Sequence, residues 1–141
     1  MDNLRRHRDY LEGEWQNLRA SPLSMRKARL VAALVDAYVD RLFVALPDPG
    51  DILTFREAMA ARSPELARIM ALGGQGDVYL VTEAVAVPIA EYGALPVEDF
   101  MVSLYNDHTV QRLLIVTADG RRHDLIDTLG QAIAALDGAS D

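Results

Sequence analysis

Gly73-Gly74-Gln75-Gly76 divides this 141-residue chain into two parts of different character. On its amino-terminal side, apolar residues recur at helical spacing. On its carboxy-terminal side come β-branched runs and a hairpin signal. Charge divides at the same point: residues 1–72 hold 11 of the 14 Lys and Arg and 10 of the 21 Asp and Glu, and residues 73–141 hold the other 3 and 11. The front therefore carries +1 and the back −8, which together give the chain its −7.

Immediately before the glycines, Leu66, Ile69 and Met70 belong to a helical stretch that Gly73 is predicted to stop. That stretch opens at Thr54-Phe55-Arg56-Glu57, which matches a capping box, and Asp51 stands ready to cap one turn earlier. Ser63-Pro64 is predicted to kink or restart it. Further upstream, Leu30, Val31, Leu34, Val35, Tyr38, Leu42 and Leu46 form a wide apolar face, with Arg26, Arg29, Asp36 and Asp40 opposite. A face that broad marks the central helix of a core. Ser21-Pro22 opens this helix, with Ser24 as a competing cap, and Leu46-Pro47-Asp48-Pro49-Gly50 closes it. The first helix carries Leu4, Leu11, Trp15 and Leu18 at seven- and four-residue steps, a narrow seam of the coiled-coil kind. Its arginines (Arg5, Arg6, Arg8 and Arg19) alternate with acids and read as a solvated face.

Beyond the glycines, Val78 to Ile89 is rich in valine and reads as one long strand or two short ones. Pro88 places its end at a sheet edge or a bulge. Pro96 opens a short helix over 97–105, with Glu98 and Asp99 in the first turn. Leu113-Leu114-Ile115-Val116-Thr117 is apolar on both faces and is expected to be a central strand. Asp119-Gly120 signals a two-residue type I′ turn, which sets Val116 opposite His123, Leu114 opposite Leu125 and Arg112 opposite Asp127. Asp127 or Thr128 then caps a last helix over 128–137. The expected fold is α+β in a single domain spanning 1–141. Three N-terminal helices (front, 1–72) pack on a small, mainly antiparallel sheet formed by 78–89, 110–118 and 121–127, and two further short helices complete the acidic part, 77–137.

A hydrophobic content of 50% with mean hydropathy +0.04 is that of a globular chain. No uncharged stretch approaches the roughly 20 residues that a membrane helix needs. The charged segment Met1 to Tyr10 is followed by no apolar run of the secretory kind, so a cytoplasmic protein without membrane contact is expected. With no cysteine there is no disulfide framework and no thiolate metal site. A pI near 4.9 argues against nucleic acid as a partner. A helix-turn-helix around Ser63-Pro64 would lack its basic recognition helix, since the second segment sets only Arg68 against Glu65.

The residues that carry chemistry are sparse. Two of the three histidines adjoin aspartates, in Asp107-His108 and His123-Asp124. On the predicted register, His108 stands eight residues from the partner of His123, roughly 26 Å along a strand unless the chain folds back at Asn106, too far to share an ion. The glycine stretch precedes a strand and lacks a following Lys-Ser/Thr, so it reads as a linker rather than a phosphate loop. None of the five serines sits in a nucleophile elbow, and capping with solvation accounts for Glu91, Glu98 and Asp99. No catalytic residue, metal or cofactor is expected. The expected function is a non-enzymatic accessory or protein-interaction domain. Its partner is another protein or a second copy in a homodimer, met through Leu4, Leu11, Trp15 and Leu18 with Trp15 as anchor. The alternative is a small-molecule binder, or an enzyme of a type without these motifs. Its pocket would lie between helices and sheet and draw on Tyr79, Tyr92, Tyr105, Asp107 and His108.

Overall fold

Local capping chemistry sets where each helix of the front begins, and it selects among the competing signals in the sequence. The computed structural model describes residues 3–48, 50–74, 76–86, 99 and 109–139, and within these the chain forms an α+β fold. Its order is α1 (Asn3–Ala20), α2 (Met25–Val44), α3 (Ile52–Arg62), α4 (Pro64–Gly73), β1 (Tyr79–Ala86), β2 (Thr109–Val116), β3 (Arg122–Asp124) and α5 (Leu125–Ala139). Ser24, not Ser21, caps α2, its hydroxyl accepting from the Lys27 N–H at 3.2 Å. Asp51 caps α3, accepting from the Thr54 N–H at 2.9 Å, so the capping box at Thr54 is not used. Ser63 ends α3 in extended backbone and starts α4, its hydroxyl accepting from the Leu66 N–H at 3.1 Å while Pro64 occupies the first helical position. The front thus holds four helices where three are expected, because Ser63-Pro64 restarts the chain instead of bending it.

The sheet is antiparallel in the order β1-β2-β3, which makes β2 the central strand. This agrees with the apolar run Leu113 to Val116, all four of whose side chains are buried. The register of the second hairpin differs from the expected one by a residue. Val116 pairs with Arg122, Ile115 with His123 and Leu114 with Asp124. The cause is the loop: the Thr117 N–H donates to the Arg121 carbonyl, and the Gly120 N–H donates back to the Thr117 carbonyl at 2.9 Å. Three residues, Ala118 to Gly120, therefore connect the strands, with Gly120 in the left-handed region at φ 81°. This is a three-residue hairpin rather than a two-residue type I′ turn. The slip moves the whole strand's side chains to the opposite face. It also ends β3 at Asp124, so Leu125 to Asp127 enter α5 and the expected Arg112–Asp127 strand pair does not form. Arg112 instead stands opposite Glu83 and makes an ion pair with Asp99 at 3.1 Å.

One cluster of buried side chains joins front and back. It runs from Leu11 and Leu18 of α1 through Val31, Val35 and Tyr38 of α2 and Leu66 and Ile69 of α4, to Leu113 and Ile115 of β2 and Leu125, Leu129 and Leu136 of α5. At Gly73 the α4 backbone lies against that of α2. A Cβ built there would lie against the Ala32 carbonyl oxygen and 2.8 Å from its carbon. Three polar ties cross the interfaces between helices. Arg8 of α1 makes a two-pronged pair with Asp137 of α5 at 2.7 and 2.9 Å. Arg56 of α3 bridges to Asp36 and Asp40 of α2. The His7 ring packs on Tyr38 at 5.4 Å, and its Nε2 is 2.8 Å from the Leu34 carbonyl, which fixes the Nε2–H as donor. Asp36 and Asp40, expected on a solvated face, thus hold α3 in place. The expected helix over 97–105 lies outside the described residues apart from Asp99, as do Val87 to Ile89 of the expected first strand. No helix among the described residues is long and apolar enough to cross a membrane.

Candidate functional site

Of the seam residues expected to meet a partner, Leu11 and Leu18 are fully buried and Trp15 is 9% exposed, all within the chain's own core. Trp15 packs toward Gly130 of α5, and the Arg19 guanidinium lies 5.7 Å from its ring centre. The seam is narrow because α1 needs only one stripe to close over α2 and α5. Only Leu4, at the amino-terminal end, remains half-buried and faces an opening. Among the residues expected to line a pocket, Tyr79 is exposed at the start of β1. Tyr92, Tyr105, Asp107 and His108 lie outside the described residues.

Leu4 leads to the feature that sequence reasoning missed. The carboxy-terminal end of α2, the amino-terminal end of α1 and one side of α3 enclose a cleft of about 370 Å³. Leu4, Leu42, Leu46, Phe55 and Met59 supply its apolar walls, and Arg62 stands at its margin. Phe43 and Phe55 stack beside it with ring centres 5.5 Å apart, joining α2 to α3. The opening continues past Val44 and Ala45 and then along the groove between α1 and α2, where Arg6, His7, Tyr10 and Arg41 line it. Large apolar side chains project outward here. Val44 is 77% exposed, and Leu46 is exposed as well. The broad α2 stripe ends with more apolar residues than the core can cover, which is the sequence signal that could have located the site.

The electrostatics of this end contrast with the rest of the molecule. Among the described residues no carboxylate lines the opening, although the chain carries 21 acids and a net charge of −7. Its charged margin is Arg6, Arg41 and Arg62, and none of the three forms an ion pair among the described residues. Arg8 is paired with Asp137 and Glu12, and Arg56 with Asp36 and Asp40.

No family model matches the chain, and neither does any curated protein or any solved structure.

A second depression, at the junction of β2, β3 and α5, is acidic. Asp99, Asp124 and Asp127 line it with Arg112 and Ile126. Burial pushes the half-buried Asp124 carboxyl above its ordinary range, against the opposing pull of the Asp127 N–H it accepts at 2.9 Å. That bond identifies its role: Asp124 caps α5 directly after the strand. His123, expected opposite Val116, is half-buried on the sheet face that carries Ile115, and burial pushes its pKa down. Among the described residues no group of three or more His, Asp or Glu is arranged to hold a metal ion.

Proposed function

We propose that this chain is a non-enzymatic protein-interaction domain and that its contact surface is the apolar cleft at the α1–α2–α3 end. The observation that supports this reading is the outward projection of Val44 and Leu46 at an open apolar cleft. Contiguous apolar surface of this kind is costly to leave wet and commonly marks a contact. The rest of the bundle needs no partner, since its helices already bury their stripes on one another. Phe55 in the cleft wall, with Phe43 against it, suits an anchoring position, because binding energy concentrates in desolvated aromatic pockets.

The test compares the wild-type chain with a Val44→Asp/Leu46→Asp variant as bait in native lysate, with circular dichroism and thermal unfolding confirming that both are folded. Proteins retained by the wild type and lost from the variant are the expected result. Equal retention by both baits, or none by either, would remove the surface from consideration. Sedimentation velocity over a concentration range, run on the same two proteins, reads self-association directly.

A further inference from the structure

Resting on that reading of the α1–α2–α3 end as a contact surface, we infer that its partner is an acidic amphipathic helix of another protein. The charge pattern sets the sign. In a chain of net charge −7, Arg62 lines the apolar cleft and Arg6 and Arg41 line the grooves that continue it, and among the described residues no carboxylate joins them in the lining. An anionic partner gains from all three, and a cationic one meets repulsion at each, which is how interfaces select partners. The backbone of the groove sets the conformation. Its walls are helix faces and helix ends, with no sheet edge among the lining residues. An incoming extended strand would find no ladder to join. A segment that buries its backbone here must satisfy its own hydrogen bonds, which a helix does. The apolar floor sets the pattern: anchors at i, i+3 or i+4, and i+7 for the Leu4–Leu42–Leu46–Phe55 walls, with acids flanking them toward Arg6, Arg41 and Arg62.

A second copy of the chain is a poor occupant. The described helices bury their main apolar stripes in the core, leaving single exposed residues such as Leu30 and Leu53 rather than a second stripe. Nucleic acid is a poor occupant too, because the floor between the arginines is aliphatic and aromatic where a phosphate track would need cations.

Selection from a displayed library of random helical peptides on the full chain reads the partner's chemistry without knowing its identity. The inference predicts enrichment of peptides with Asp and Glu flanking helically spaced apolar residues. It predicts at least a tenfold loss of their affinity for Arg6→Glu/Arg41→Glu, a smaller loss for Arg6→Gln/Arg41→Gln, and weaker binding as salt rises. Circular dichroism and thermal unfolding verify the fold of each variant. Enriched peptides that are apolar or basic, lost on Val44→Asp but indifferent to the arginines, would overturn the acidic partner and leave the contact surface standing. Peptides indifferent to both sets of changes, or no enrichment at all, would overturn the inference and the surface together. Vesicles containing phosphatidylglycerol are the parallel probe. Flotation of the wild-type chain with them, lost on Arg6→Glu/Arg41→Glu and without peptide enrichment, would assign the arginines to a lipid surface and overturn the peptide partner.

Discussion

Gly73 shows how a residue legible for one reason is required for another. Its position before a strand predicts a helix stop, yet the chain stays helical through Gly73 and the cap is Gly74. What Gly73 provides is the absence of a side chain where α4 crosses the Ala32 backbone of α2. Gly73→Ala gains about 1 kcal/mol of helix propensity but forces the two backbones apart, an overpacking cost of about 1–3 kcal/mol that cannot be relieved by a rotamer change. The net result expected from urea unfolding is destabilisation. Asp124 supplies a second prediction at this scale. Burial raises its folded pKa above the ordinary value of 3.8, so the native state holds the proton more tightly than the unfolded chain does. The resulting stabilisation is complete below 3.8 and is lost as pH rises through the raised value. Asp124→Asn keeps an oxygen for the Asp127 N–H and removes the ionisation. Its stability should therefore fall less than the wild type's over that window. Asp124→Ala removes the cap and should cost about 1 kcal/mol even at neutral pH.

At the scale of elements, periodicity identified the helices and capping residues bounded them, because both depend on neighbours within one or two turns. Long-range pairs were not visible: nothing in the spacing of Arg8 and Asp137, 129 residues apart, or of Arg56 and Asp36, 20 apart, indicates that they meet. Hairpin register failed for a local reason. Asp-Gly serves equally at the centre of a two-residue turn and at the end of a three-residue loop, and only the Thr117–Arg121 bond distinguishes them. A one-residue ambiguity there propagated into the start of α5 and into the face of His123. Ser63 tests the element account. Its hydroxyl caps α4 at the break from α3, so Ser63→Ala should cost about 1 kcal/mol in chemical denaturation, while Ser63→Asp should restore most of it. Trp15→Ala should cost more, about 3–5 kcal/mol, because it opens a cavity between α1 and α5. Sedimentation of this variant should match the wild type's, since the ring faces its own core.

For the whole molecule, the uneven charge visible in the sequence acquires a location. The division at residues 73–76 separates a nearly neutral front from an acidic back, and within the front Arg62 lines the apolar cleft while Arg6 and Arg41 line the groove beside it. The site was only partly legible because its parts lie on three helices. Leu4 reads as part of the seam with Leu11, Trp15 and Leu18, and Leu42 and Leu46 as part of the α2 stripe, of which Leu42 is indeed buried in the core. The remainder needed the packing of α3 against α2. The most direct measurement is an NMR titration of the isotope-labelled full chain with the highest-affinity peptide from the library selection. Shift changes should be confined to residues 3–10, 41–46 and 52–62, with the sheet amides at 79–86 and 109–116 unmoved. Changes centred instead on the sheet or on the Asp124 depression would contradict the account.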